Sequence, residues 1–190
     1  MIERWTEDQL FNGIDYSAQK LTHTEFDGCK FQNCDFSNSD LTESDFINCS
    51  FENCNFSNAK ISGAGMKEVL FTGCKLIGNH FETCSDFLFS VNFKNCSLDY
   101  SSFFRKKMKK AKFDNCSLKE VDFSETDLSA AEFHACDLTQ TVFENSILEK
   151  TDFRSAYNFS IDPDKNKIKK ARFSTSGLAG LLEKYKLDIE

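Results

Sequence analysis

The stretch FQNCDFSNSDLTESDFINCSF, residues 31–51, sets Phe31, Phe36, Leu41, Phe46 and Phe51 five residues apart. Side chains return to one face about every 3.6 residues in a helix and about every 2 in a strand, so a period of five marks a repeat architecture. Outward from this stretch the phase runs from Phe11, Tyr16, Leu21 and Phe26 to Phe56, Ile61, Met66, Phe71, Leu76 and Phe81. After a two-residue slip it resumes at Leu88 and continues by fives to Phe153. A coil of this kind has a packed inside with no room for an active site and a regular outside. It implies a binding surface rather than an enzyme.

The 190 residues suit one domain with a real core. The net charge of −7 argues against a nucleic-acid binder held by overall charge. MIERWTEDQL, residues 1–10, has neither a basic start nor an apolar core of signal length, and nothing approaches the roughly 20 apolar residues of a membrane span. The expected location is cytoplasmic.

Cys29, Cys34, Cys49, Cys54, Cys74, Cys96, Cys116 and Cys136 each stand two residues before a repeat centre, and Cys84 keeps that phase at the slip. The same slot takes Ser39, Ser44, Ala59, Ala64, Ala111, Thr126, Ala131 and Thr151, so it selects a small side chain. Free cysteine buries well as a small hydrophobe. With no CxxC, and with His23, His80 and His134 outside the inward slots and without obvious partners, structural thiols are expected rather than metal or redox chemistry.

A second period of twenty lies over the first. Phe11, Phe31, Phe51 and Phe71 form one series, Phe93, Phe113, Phe133 and Phe153 its continuation, and Leu98, Leu118 and Leu138 another. Four pentapeptides therefore make one four-sided coil, with coils about 4.8 Å apart. The residue two after each centre turns the corner. Up to the slip it is Gly or Asn in ten of fifteen repeats, and afterwards only Asn95, Asn115 and Asn145 qualify. Both residue types accept the positive φ of a type II turn, so type II corners are expected before the slip and another turn type after it.

The ends and irregularities carry further expectations. Residues 1–10 form an N-terminal cap in which Ile2, Trp5 and Leu10 shield the first coil; 11–173 form the repeat domain; 174–190 form a helix. In SGLAGLLEKYKLDIE (176–190), Leu178, Leu181, Leu182 and Tyr185 share one helical face, which either caps the last coil or also pairs two chains about a twofold axis. The break at 82–87 (ETCSDF) is a kink or bulge, or else a binding loop. In RKKMKKAK (105–112) Lys106 falls in the small inward slot, where a lysine cannot be buried unpaired. The backbone is expected to swell outward there, as a solvated bulge or a partner-gripping patch.

Residues 1–104 carry 15 acids and 7 bases, 105–112 carry six bases, 113–153 carry 10 acids and 2 bases, and 154–190 carry a net +3. Two acidic stretches thus flank a basic band. Asp15 falls over Asp35, Glu25 over Asp45 and Glu132 over Asp152, although like charges one strand apart cost stability. Acids in outward slots are either plain surface polarity or, taken together, an imitation of the phosphate field of a duplex.

The repeats CDFSN, SDLTE, SDFIN and CNFSN resemble the pentapeptide-repeat family over residues 11–173. That resemblance implies an all-β fold, a right-handed quadrilateral β-helix, followed here by a short C-terminal α-helix. Residues 31–51 and the tail IDPDKNKIKKARFSTSGLAGLLEKYKLDI (161–189) are similar to the topoisomerase-directed members, the Qnr and MfpA quinolone-resistance proteins and the albicidin and microcin B17 immunity proteins. In those relatives the helix makes a dimer, and the rod mimics DNA, binds DNA gyrase and relieves antibiotic poisoning. Qnr proteins also carry a projecting loop of about a dozen residues. This chain has no interruption beyond the slip before 153, and in that it is similar to the compact immunity proteins.

The resemblance implies a non-enzymatic ligand of DNA gyrase or a related type II topoisomerase, without cofactor or metal and without direct nucleic-acid or membrane binding. Asp15, Glu25, Asp35, Asp45, Asp122, Asp127, Glu132, Asp137 and Asp152 would face the DNA-binding saddle. Leu178, Leu181, Leu182 and Tyr185 would cap and dimerise. The alternative is a general interaction scaffold whose partner engages the basic band or the kink, and salt dependence separates the two.

Overall fold

The computed structural model describes residues 5–188. Eleven short strands follow along the chain: β1 (Trp5–Glu7), β2 (Leu10–Asn12), β3 (Glu25–Asp27), β4 (Lys30–Gln32), β5 (Asp45–Ile47), β6 (Ser50–Glu52), β7 (Gly65–Lys67), β8 (Val69–Thr72), β9 (Val91–Lys94), β10 (Lys112–Asp114) and β11 (Glu132–His134). All pairing is parallel, and its register is the twenty-residue period: Phe11 pairs Phe31, Phe31 pairs Phe51 and Phe51 pairs Phe71. The fold is a parallel β-solenoid with four faces.

The first face is the seven-stranded sheet of β2, β4, β6 and β8 to β11. The second and third are held by single parallel bridges, such as Asp15–Asp35 and Lys20–Asp40. The fourth begins as the four-stranded sheet β1-β3-β5-β7 and continues beyond the slip as the bridges Lys107–Asp127, Asp127–Ile147 and Ile147–Lys167.

Inside, like residues stack. Along the first face, rings from Phe11 to Phe173 form an unbroken column, with centroids 4.8 Å apart at Phe31–Phe51, 5.4 Å at Phe71–Phe93 and 4.8 Å at Phe113–Phe133. Neighbouring columns meet edge to face, as Phe31 does with Phe36 at 73°. Both arrangements suit the ring quadrupole and add about 0.5–1.5 kcal/mol per pair to the burial itself.

The nine cysteines are free and buried. Burial pushes the Cys49 and Cys84 thiols up to about 12, which keeps them protonated and unreactive at neutral pH. The inward slot does more than require a small residue. Its donor reaches the carbonyl of the centre residue one coil back: Cys54 Sγ to Phe31 O at 3.4 Å, Ser44 Oγ to Leu21 O at 2.6 Å and Thr126 Oγ1 to Phe103 O at 2.8 Å. Cysteine, serine and threonine are interchangeable there as donors to a buried acceptor.

The corners contradict the expected change of turn type. The residue two after the centre keeps positive φ on both sides of the slip, at Gly28 (62°) and Asn33 (53°) before it and at Tyr100 (63°), Arg105 (61°) and Glu120 (55°) after it. Before the slip, corners on the second and third faces close with a bond to the centre carbonyl, as in Ser39 N to Phe36 O (3.1 Å) and Ser44 N to Leu41 O (3.1 Å). After it the fourth face closes as well, through Ala111 N to Met108 O at 3.2 Å. The ladder explains this. Most corner N–H groups donate to the next coil, as Tyr100 does to Lys119 O (2.9 Å) and Arg105 to Ser124 O (3.0 Å). Those bonds hold the left-handed conformation against its cost of roughly 1–2 kcal/mol in a residue other than glycine.

At the slip, a short 3-10 turn at Phe81–Thr83 precedes a bulge over 85–90. The first-face sheet passes it unbroken, with β8 and β9 paired at an offset of 22 (Phe71 with Phe93). The extra residues are therefore absorbed on the fourth face, where the strand ladder stops at β7.

Both ends differ from expectation. Residues 5–7 already form the first rung, and Trp5 and Leu10 stand 55% and 61% exposed instead of shielding it; Ile2 lies outside the described residues. The C-terminal segment is helical but wound as two 3-10 turns, Thr175–Leu181 and Glu183–Tyr185, not as an α-helix. Gly177 and Gly180 are poor helix formers, and both lie on the Phe159 ring. A Cβ at Gly180 would come within 2.2 Å of the Phe159 carbonyl oxygen. Gly180 O accepts the Ile161 N–H at 2.9 Å, which ties the segment down on the last coil.

Candidate partner-binding surface

The nine nominated acids do not share a face. Asp15, Asp35 and Asp137 lie on the second and Asp122 on the third; Glu25, Asp45 and Asp127 lie on the fourth and Glu132 and Asp152 on the first. The structure brings together only pairs on successive rungs: Asp15 with Asp35, Glu25 with Asp45 and Glu132 with Asp152. Carboxylate is thus presented around the whole rod, not along one stripe.

A local rule explains many of these acids. The Asp15, Asp35, Asp122, Asp127 and Asp137 carboxylates each accept the backbone N–H two residues on, at 2.8–3.2 Å, from Ser17, Ser37, Ser124, Ser129 and Thr139. These are Asx turns that start a corner. Asn55 makes the same turn with Ser57 at 3.1 Å, so the turn needs the acceptor and not the charge. The signal was present in the sequence as Asp/Asn-x-Ser/Thr at five-residue phase.

At Asp15, Asp127, Asp137 and Asp152 the charged form is favoured. Bonds from Ser17 hold the Asp15 carboxyl below its usual 3.8, and Arg154 does the same for Asp152. Burial opposes the effect at Asp137, which is still held low by Thr139 and Asn158. Some acids are shared with bases of the same chain: Asp45 with Lys67 at 3.5 Å, Asp127 with Lys109 at 3.3 Å and Asp152 with Arg172 at 3.2 Å.

Lys106 corrects another expectation. The coil does not swell outward around it. The side chain is 2% exposed, and its Nζ donates to Cys84 O at 2.6 Å and to Asp86 Oδ1 at 2.7 Å, 5.0 Å from the Phe89 ring centre. The bulge one coil below delivers Asp86 to the ammonium, so the slip and the inward lysine are one feature. On the outside the bulge leaves Phe87 and Leu88 67% and 65% exposed.

The histidines, expected without partners, each meet a carboxylate: His23 with Glu43 at 3.0 Å, His80 with Glu82 at 2.8 Å and His134 with Asp114 at 2.8 Å. His134 borders a 380 Å³ cleft with Glu132, Asp152, Arg154 and Ser155. Among the described residues no group of His, Cys, Asp and Glu has the arrangement of a metal site, and no helix is long and apolar enough to cross a membrane.

At the C-terminal end, Leu181 packs on the core and Leu182 is half-buried, whereas Leu178 and Tyr185 are 46% and 58% exposed. The expected apolar face is therefore split between capping and solvent. Lys184 reaches Asp162 at 2.6 Å and also Asp164, which anchors the segment electrostatically.

In comparison with solved structures, two trypsin-treated point variants of QnrB1, a plasmid-mediated fluoroquinolone resistance protein, are similar. One variant aligns with a TM-score of 0.74 at 13% identity, covering 98% of this chain and 100% of that one. The second aligns at 0.69 and 16% identity, covering 100% and 95%. At such identity the likeness is one of fold. No curated protein matches the chain by sequence. The family model for the pentapeptide repeat region matches residues 24–103 and 106–181. With that match over most of its length, and with a register that repeats every four pentapeptides, the chain belongs to the pentapeptide repeat family.

Proposed function

We propose that this chain is a non-enzymatic ligand of a type II topoisomerase, DNA gyrase first, which it engages in place of DNA and thereby shields from topoisomerase-poisoning antibiotics. The observation that carries this reading is the all-round display of carboxylates at rung spacing on a stiff rod. A duplex likewise presents charge around its whole circumference, not on one side. The likeness in fold to a fluoroquinolone resistance protein supports the choice of partner. Asp15, Asp35, Asp122 and Asp137 on the second and third faces are the principal contacts, with Glu25, Asp45, Asp127, Glu132 and Asp152 beside them. Leu178 and Tyr185, exposed at the C-terminal end, join two rods end to end.

Binding of the chain to the DNA-binding core of gyrase, measured as salt rises, tests this. Asp15→Asn, Asp35→Asn, Asp122→Asn and Asp137→Asn combined remove four charges and keep the turn acceptor, as Asn55 does naturally. Steep weakening by salt and by these substitutions is expected. Binding that ignores both sinks mimicry and favours the scaffold reading, in which a partner sits on the exposed Phe87–Leu88 bulge.

A further inference from the structure

The fourth face is polar along its length in a way the other three are not. It has four rungs on the N-terminal side of the bulge, β1, β3, β5 and β7, and four beyond it, at Lys107, Asp127, Ile147 and Lys167. The outward residues of the first four, with their corners, carry Glu7, Asp8, Glu25, Asp27, Asp45 and Glu68 against Lys67, six acids and one base. The last four carry Lys107, Lys109, Lys110, Lys150, Lys167, Lys169 and Lys170 against Asp127 and Glu149, seven bases and two acids. The halves therefore stand at −5 and +5. Among the described residues, only Lys67–Asp45 and Lys109–Asp127 pair inside the face itself. At the midpoint, where charge changes sign, the bulge raises Phe87 and Leu88 into solvent, and a 450 Å³ groove lies beside Leu88 between Ile47, Asn48 and Lys67.

A face with opposite, equal charge about an apolar centre is complementary to itself once turned end for end. We propose that this face is the interface of a side-by-side antiparallel homodimer whose twofold axis passes through the 85–90 bulge. The acidic half of each rod then lies on the basic half of the other, and Phe87 and Leu88 of the two copies meet at the axis. A parallel arrangement would set acid on acid and base on base, so charge alone selects the antiparallel one. Eight rung steps of about 4.8 Å make the face roughly 38 Å long; with a width of roughly 16 Å the footprint is about 600 Å² per copy. Both copies together bury about 1,200 Å², the lower end of the range for specific interfaces. A salt-sensitive, exchangeable dimer follows. The pairing needs no topoisomerase, and because it is exchangeable, a topoisomerase that engages Glu25, Asp45 and Asp127 competes with it.

The test is analytical ultracentrifugation of the full chain, with Leu178→Asp and Tyr185→Asp in every sample to remove end-to-end contact. At about 50 mM salt a dimer is expected, with its Kd rising at least about tenfold by 500 mM. Lys167→Glu, Lys169→Glu and Lys170→Glu together should give a monomer, and so should Glu7→Lys, Glu25→Lys and Asp27→Lys together. An equimolar mixture of these two variants should dimerise again, because each half then faces its opposite. Leu88→Cys, an exposed thiol beside nine buried ones, should cross-link with a short bismaleimide in the mixture and in neither variant alone. A monomer at every salt, or a dimer untouched by both reversals, overturns the proposal. A mixture that stays monomeric overturns it as well.

Discussion

At the scale of single residues, positions that look merely small or merely charged have defined partners. Thr126 donates to the carbonyl of Phe103, which also accepts the Lys106 N–H at 3.0 Å. The isosteric Thr126→Val keeps the volume and loses one bond, so thermal or denaturant unfolding should report a loss of about 1 kcal/mol. Lys106 and Asp86 are unequal partners: the lysine side chain is 2% exposed and that of the aspartate 85%. Removing the aspartate strands a buried ammonium, whereas removing the ammonium leaves a carboxylate that water can reach. Asp86→Asn should therefore cost about 2–4 kcal/mol and Lys106→Met clearly less. Equal losses in urea melts would contradict this account of the slip. The turn aspartates add a pH dependence. Asp15, Asp127, Asp137 and Asp152 have folded pKa values below the ordinary 3.8, so their contribution is complete above that value and fades as pH falls through the folded values. Melting temperature should be flat from pH 7 to about 5 and fall below about 4, and Asp15→Asn with Asp137→Asn should blunt that fall.

Among the elements, the corners separate what the sequence shows from what it hides. Phe and Leu at every fifth position made the coil, its four sides and its twenty-residue register legible, because burial leaves no choice at those sites. Corner conformation was not legible, because ladder bonds from neighbouring coils fix it and the residue only sets the cost. Glu120 bears that cost at φ 55° on an exposed corner. Glu120→Asn should stabilise by about 0.5–1 kcal/mol, read as a shift in the denaturant midpoint at constant slope. The C-terminal segment misled for a similar reason. Its apolar spacing reads as an α-helical face, yet docking on Phe159 through Gly177 and Gly180 selects 3-10 geometry and commits Leu181 to the core. The acids were legible as residues but not as a surface, since their assignment to four faces, and their duty in Asx turns, depends on the phase of each within its pentapeptide.

For the whole molecule, the solenoid turns sequence position into spatial position: faces are read modulo twenty and length along the rod is read in coils. That geometry gives a packed interior, carboxylates on all four faces and one face divided into an acidic and a basic half. The central claim is that the carboxylates displayed on these faces stand in for DNA. It is tested most directly by gyrase supercoiling at increasing concentrations of this protein, with and without a fluoroquinolone or albicidin, beside the combined Asp15→Asn, Asp35→Asn, Asp122→Asn and Asp137→Asn chain. Inhibition of supercoiling, or relief of the drug, that is lost in the neutralised chain while its fold persists is the expected result. Supercoiling and drug action indifferent to both forms would contradict it.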